Sequence, residues 1–510
     1  MKFSLYALIA ACWAHDALAS SCSDLLNYKA LPGTDIESAY TARYVSSDGH
    51  TSILYCQVSG SVAYGEHGNS VGFELWLPSP EFYNNRFMVV GNGGFAGTID
   101  TDSMGKQLEQ GFAVTGGDSG HKEAKNGNGT TTSGQYIPFL NDVEQTKAWI
   151  HESIAIMTDP TRDIISSFYG SSPKYSYFSG CSTGGAQGFA LAQYHAQLFD
   201  GIYAGSPGNW YTHLMLSFLW NGIHTMKDAF LDQATLNATT DKVLDACDEI
   251  DGVKDGLIEN PLNCHFDIET LACSATANLD GNNRTCLSSK RMQSLKAIYY
   301  GPRNPRTGTP IYPGFKFGSE RELMLQETSL YVQYAAPLLQ NLVFNNLSYD
   351  IESFDFDGDV AKVNKAASHL IDSVGYDLGA FRSHGGKMIV SQGWADPFNA
   401  PTWPIKYLQQ LEKASSNGSV ADFFGLYMIP VGHLGGGHCG AAESYPSVPA
   451  TYHTNEALLA WVENGTFPSW IQSSNAPDGS SRTRKLCPWP KTAKLQDQER
   501  SDISESYECV

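Results

Sequence analysis

Ser182 sits in Gly180-Cys181-Ser182-Thr183-Gly184, the G-x-S-x-G spacing that holds a serine hydroxyl on a sharp turn between a strand and a helix. The preceding "KYSYF" reads as a strand and the following "AQGFALAQYHA" as a helix, so the stretch has the strand, tight turn and helix that such a nucleophile requires. Gly180, Gly184 and Gly185 allow the strained turn and a close approach of helix to sheet. A second match, Gly68-Asn69-Ser70-Val71-Gly72, precedes the alternating "FELWLP" and reads as a loop or hairpin. Serine attacks an acyl carbon only when a base takes its proton, so a histidine and an orienting carboxylate must be found downstream. Asp396 follows the strand pattern "KMIVSQGW", and His438 follows "GLYMIP", with His433 as a rival.

Cysteine discriminates between the histidines. Cys181 immediately precedes Ser182 and Cys439 immediately follows His438. A disulfide between them would hold their Cα atoms about 5 to 6 Å apart and bring serine and imidazole side by side. That reading selects His438 over His433 and makes Cys181 an anchor. The competing reading, Cys181 as a thiolate nucleophile, fits an oxidising compartment poorly. The oxyanion formed on attack needs backbone N–H groups, one from the residue after the nucleophile, Thr183, and one from an early glycine-rich loop. "GNGGFAG" directly after the strand "RFMVV" supplies that loop, with Gly93 or Gly94 as the donor.

These residues need a scaffold of parallel strands. Short apolar runs ending in glycine-rich turns alternate with helical patterns up to about residue 208 and again from about 385 onward, which predicts an α/β fold with a parallel sheet. Between 209 and 384 the pattern loosens into Asp-Gly turns, cysteines and sequons, and reads as an inserted domain. Residues 1–19 combine Lys2, an apolar run and Ala17-Leu18-Ala19, the features of a removed secretion signal. The catalytic domain is then expected in two parts, 20–208 and 385–510. No apolar run is long enough for a membrane span. The net charge of -20 argues against nucleic acid as a partner, since phosphate backbones demand clustered Lys and Arg. Oligomeric state has no signature in the sequence. Of eleven cysteines, Cys12 falls in the signal and ten remain, an even number suited to five disulfides in a secreted chain. Sequons at Asn128, Asn237, Asn283, Asn346, Asn417 and Asn464 predict a glycosylated surface.

The combination of Cys181-Ser182, Asp396 and His438-Cys439 with "GNGGFAG" and "GCSTGG" resembles the tannase and feruloyl esterase family of secreted fungal and bacterial serine esterases, over nearly the whole stretch from Cys22 to Cys509. The resemblance implies an α/β-hydrolase domain with a lid inserted between the serine and aspartate segments. With sequence proximity, it also implies disulfides Cys22–Cys56, Cys247–Cys264, Cys273–Cys286 and Cys487–Cys509. It further implies a structural Ca²⁺ in the lid, held by Asp248, Asp251 and Asp255 and by the carbonyls of Val253 and Leu257 in "CDEIDGVKDGLI", a dense set of hard oxygen donors. The expected substrates are phenolic acid esters, first hydroxycinnamoyl (feruloyl) esters on plant cell-wall polysaccharide and second gallate esters. A non-catalytic, calcium-containing wall-binding protein is a distant third reading. Trp210, Phe218, Trp220, Phe230 and Tyr331 of the lid are of the type that stacks on a phenolic ring, although each suits a core equally. Lys290-Arg291 reads as a surface helix pair, with a processing site as the alternative.

Overall fold

The computed structural model describes residues 21–46, 49–125, 130–131, 134–273, 286–415, 418–432, 437–439, 451–476 and 479–510. The signal segment 1–19, the sequons at Asn128, Asn283 and Asn417, and His433 lie outside the described residues.

Nine strands form the main sheet: β1 (Thr34–Val45), β2 (Ser52–Tyr64), β3 (Asn69–Pro78), β4 (Arg86–Val90), β5 (Ala113–Gly117), β6 (Tyr175–Cys181), β7 (Gly201–Gly205), β8 (Lys387–Gly393) and β9 (Phe424–Ile429). Their spatial order is β1-β2-β3-β5-β4-β6-β7-β8-β9. The first three strands and the β3–β5 pair are antiparallel, and every pair from β5 to β9 is parallel. Ser70 falls at the start of β3, after the turn at Gly65–Gly68, as the hairpin reading of the second motif expects.

The parallel strands are apolar on both faces because helices cover both. Phe87 and Val89 of β4 enter one core while Met88 and Val90 enter the other, the two-residue period of a strand. The larger core lies under α2 (Ser153–Tyr169), α3 (Thr183–Tyr194) and α4 (Tyr211–His224), and the smaller packs beneath α1 (Thr101–Leu108) and the helix Thr454–Asn464. That last helix stops at Gly465 in a left-handed conformation, φ 71°. Between β7 and β8, the described residues add no strand to the main sheet. They form helices and one two-residue strand, Leu257–Ile258, which pairs with Val431–Gly432. Lys290 and Arg291 lie in the first turn of the helix Ser289–Tyr300 and pair with Asp228 and Asp232, the surface arrangement expected of them.

The larger core contains two imidazoles that resist protonation. His121 stacks on Phe139 at 4.0 Å, and His151 places Nε2 3.0 Å from the Asp372 carbonyl. Burial pushes both down to about 4, against the partial support of these backbone contacts. An unfolded histidine titrates near 6.5, so between about 6.5 and 4 the unfolded chain binds protons that the folded one refuses, and these two residues withdraw stability on acidification. The loss is on the order of 3 kcal/mol per residue at full extent. Buried Glu259 and Glu327, pushed up by burial to about 7 and about 8, act with the opposite sign, so the test is differential. From pH 7 to pH 4.5 the Tm of the parent is expected to fall relative to that of His151→Gln. A Tm difference between the two proteins that is the same at both pH values would contradict this.

Candidate active site

Because β4, β6, β8 and β9 run parallel, their C-terminal ends share one edge of the sheet, and every candidate residue of the triad and the oxyanion hole follows one of those ends. Gly91–Gly94 follow β4, Ser182 follows β6, Asp396 follows β8 and His438 follows β9. Ser182, Thr183, Gly93, Gly94 and His438 line one cavity of about 350 Å³.

Ser182 has φ 60° and ψ -117°, a conformation that L residues rarely adopt and that a nucleophile elbow imposes. Small neighbours are required to turn the chain there. A Cβ on Gly180 would meet the Gly184 carbonyl oxygen at 2.6 Å, and one on Gly185 the Gly205 carbonyl oxygen at 2.6 Å. Thr183 begins α3, so its N–H has no acceptor within the helix and is available to an anion in the cavity.

Asp396 is completely buried. Its Oδ1 accepts the N–H groups of Phe398 (2.8 Å) and Asn399 (3.0 Å), and its Oδ2 accepts from Gln392 Nε2 (2.9 Å). His438 Nδ1 lies 2.9 and 3.0 Å from the two carboxylate oxygens. Burial alone would raise this carboxyl, but the charge and hydrogen bond of His438, with the two backbone amides, hold it below its ordinary value. A carboxylate kept ionised against Nδ1 fixes the imidazole as the Nδ1–H tautomer and leaves Nε2 able to accept a proton. The His438 ring lies 4.4 Å from that of Phe398 and is only 17% exposed.

Cys181 and Cys439 form a disulfide with Cα atoms 5.1 Å apart across 258 residues of sequence. A ring nitrogen of His438 and both sulfurs fall within 4.8 Å of one another. The bridge thus brings the two dipeptides together. The other four disulfides are Cys22–Cys56, Cys247–Cys264, Cys273–Cys286 and Cys487–Cys509.

Several residues of the site carry no sequence signal. Gln187, wholly buried on α3, accepts the Asn92 N–H at Oε1 (3.0 Å) and donates Nε2 to Asn92 Oδ1 (3.1 Å) and the Trp149 carbonyl (2.8 Å). Gly184 N–H in turn donates to the Asn92 carbonyl at 2.6 Å. The carbonyl of Gly94 accepts from Thr183 Oγ1 (2.8 Å) and Trp149 Nε1 (3.2 Å). The glycine loop is thereby tied to the elbow helix from both sides. Only the contact of glycine with glycine, Gly91 against Gly184, was visible as composition. Of the five lid aromatics named from the sequence, Phe218 lines the cavity, whereas Trp210, Trp220, Phe230 and Tyr331 do not. Trp210 instead stacks on His213, and Trp220 packs against Phe356. Tyr211, Leu214, Met215, Tyr334 and Phe398 complete the apolar wall.

The segment 56–510 matches the family model described as tannase and feruloyl esterase. The chain belongs to that family. An uncharacterized esterase of Xanthomonas campestris is 30% identical, covering 96% of this chain and 91% of the relative. A probable feruloyl esterase B-1 of Aspergillus flavus is 28% identical over 94% of this chain and 90% of its own. Among solved structures, feruloyl esterase B from Aspergillus oryzae superposes with a TM-score of 0.84 at 24% identity, over 96% and 99% of the two chains. Tannin acyl hydrolase from Aspergillus niger gives 0.77 at 23%, over 94% and 92%, and both show the shared α/β-hydrolase architecture. This family member is a carboxylic ester hydrolase.

The proposed Ca²⁺ ligands are not among the cavity residues and lie where the segment between β7 and β8 meets the C-terminal segment. Asp248 accepts the N–H groups of Asp255 and Gly256, at 3.1 and 3.0 Å. Asp251 and Asp255 turn one oxygen each to buried Arg484, at 3.2 and 2.6 Å, and Asp255 also meets Arg482 at 2.9 Å. Buried Glu259 reaches the same guanidinium at 3.3 Å. The three aspartates do not converge to within 4.8 Å of one another. Burial raises both Asp248 and Asp251. Three carboxyl groups, those of Asp251, Asp255 and Glu259, face the Arg482 and Arg484 guanidinium groups, and Asp248 faces backbone N–H groups, so full ionisation of the four leaves a deficit of positive charge that a hard divalent cation would offset, and these oxygen donors suit such an ion.

If the Cys181–Cys439 bond sets the distance between the two halves of the site, replacing both cysteines by serine should lower kcat on a soluble ester by about 10- to 100-fold, because misplacement of about 1 Å costs that much. KM should change far less. Unchanged kcat in a double variant shown by mass spectrometry to lack the bridge would refute this.

Proposed function

We propose that Ser182 is the nucleophile, His438 its general base and Asp396 the group that orients the imidazole, in hydrolysis of phenolic acid esters through an acyl-enzyme. The observation that carries the reading is the paired contact of His438 Nδ1 with the buried Asp396 carboxylate beside the disulfide-tethered Ser182. His438 Nε2 takes the Ser182 proton as Oγ bonds to the acyl carbon, then gives it to the departing alcohol oxygen. Water enters, His438 takes one of its protons, and the acid leaves as Ser182 recovers its hydrogen. Developing negative charge on the carbonyl oxygen is met by the Thr183 N–H and an N–H of Gly93 or Gly94.

The acyl group is hydroxycinnamoyl, esterified in nature to plant cell-wall polysaccharide. The names of the relatives, among them the probable feruloyl esterase of Aspergillus flavus, favour this class, and the apolar wall of Leu214, Met215, Phe218 and Tyr334 suits a planar aromatic acyl group. Secretion fits the five disulfides and the sequons, of which Asn346 and Asn464 are exposed and Asn237 half-buried. No helix among the described residues is long and apolar enough to cross a membrane.

Purified protein is expected to hydrolyse methyl ferulate in preference to methyl gallate, and Ser182→Ala to lose on the order of 10⁴-fold or more in kcat. Preference for the gallate would identify tannin esters as the substrate class. Equal inertness of parent and variant would make the protein a binder.

Asp248, Asp251, Asp255 and the carbonyls of Val253 and Leu257 are proposed to hold a structural Ca²⁺. Bound there, the ion would neutralise buried carboxylates and brace the loop that faces Arg484. Saturating Ca²⁺, at about 100 times its Kd, adds about 2.7 kcal/mol, a rise of a few degrees in Tm after chelator treatment. Asp251→Asn should abolish that rise. A chelated protein whose Tm ignores added Ca²⁺ would exclude the site.

A further inference from the structure

The cavity lining is of two chemical kinds, contributed from opposite faces of the sheet. Leu214, Met215 and Phe218 belong to the larger core, and Tyr334 and Phe398 pack against it. Asp100 and Ser103 line the same cavity from the start of α1, whose Met104 and Leu108 belong to the core on the opposite face. Ser182 and His438 belong to the same lining. An ester has two halves, joined at the carbonyl carbon that Ser182 attacks. A planar aromatic acyl group gains most against the apolar residues, which leaves the alcohol to the polar ones, of which Asp100 is exposed.

We propose that Asp100, with Ser103 beside it, forms the subsite for the leaving alcohol and discriminates against alcohols that carry a negative charge. The inference rests on the proposed phenolic-ester activity. Asp100 Oδ1 accepts the Ser103 N–H at 2.9 Å, and Oδ2 accepts the Ser103 hydroxyl at 2.7 Å. These two bonds fix the carboxylate, and each oxygen keeps a lone pair for a hydroxyl of a bound alcohol. A neutral polyol such as a sugar is therefore accepted, and an anionic one is repelled. The carboxylate is open to solvent, so the repulsion is moderate and sensitive to salt.

The test compares two esters with the same acyl group: methyl caffeate, whose alcohol is neutral, and caffeoylquinate, whose alcohol part carries a carboxylate. In Asp100→Asn, which retains a helix-capping side chain, the ratio of kcat/KM for caffeoylquinate to that for methyl caffeate is expected to rise about three- to tenfold at low ionic strength. Added salt should raise the same ratio more steeply in the parent enzyme than in the variant, because the rest of a chain of net charge -20 repels the anion in both. A ratio within twofold of the parent at low salt, or the same salt dependence in parent and variant, would overturn the subsite while leaving the phenolic-ester reading intact. Should the parent prefer galloyl esters, the hydroxycinnamoyl reading fails and galloylquinate against methyl gallate gives the same comparison. Inertness on both series overturns the subsite together with the activity.

Discussion

The covalent link between Cys181 and Cys439 sets the distance between the residue proposed to attack and the residue proposed to take its proton. The two cysteines are 258 positions apart, with the whole segment between β7 and β8 inside that loop. In the chain-entropy account, closing so long a loop removes about 5 kcal/mol of freedom from the unfolded chain. More important for chemistry, the bond ends one residue from Ser182 and one residue from His438. A change at either end moves a reacting group directly. Both ends are also conformationally unusual: Ser182 has φ 60° and Cys439 φ 59°. The tether helps hold a geometry that neither dipeptide would choose alone.

Around this link the sheet supplies direction and the buried polar groups supply rigidity. The parallel register from β5 to β9 delivers four loops to one edge. Gln187 and Asn92 then lock the glycine loop onto α3 through a side-chain and backbone exchange that leaves few polar atoms unpaired. Asp396 shows the same logic in charge. A completely buried carboxylate would be costly if isolated, and here its oxygens accept two backbone amides, Gln392 and the imidazole. The glycine loop, Ser182 and His438 are thus each held in place by partners of their own.

The inserted segment is attached at two places with different physics. Over the cavity it contributes α4 and Tyr334, and the contact is apolar and aromatic. On the far side the loop of Asp251 and Asp255, with Glu259, surrounds Arg484 of the C-terminal segment, and the contact is ionic and buried. Apolar contact leaves room for substrates of varied shape, whereas a buried ion cluster tolerates little displacement. The insertion therefore has a firm anchor and a softer working face.

The elbow, the order of the three candidate residues and the Cys-Ser/His-Cys pairing were legible because each depends on short stretches: a strand ending in glycines, a loop after a later strand, a cysteine next to the functional residue. The α/β class was legible for the same reason, since two-residue and helical periods are local. The clamp of Gln187 on Asn92 was not legible, because an amide in a helix looks like any helix former until chain 95 positions away folds back on it. Nor were the lid aromatics separable into core and cavity: Trp210 caps α4 and Phe218 lies within it, and only packing against His213 or against open space tells them apart. The sequence by itself determined which groups could react and what kind of sheet carries them, since backbone period and neighbouring residues dictate both. Tertiary structure alone decided which side chains meet across the cavity, because contact between distant residues depends on the register of strands and the packing of helices, which no local pattern contains.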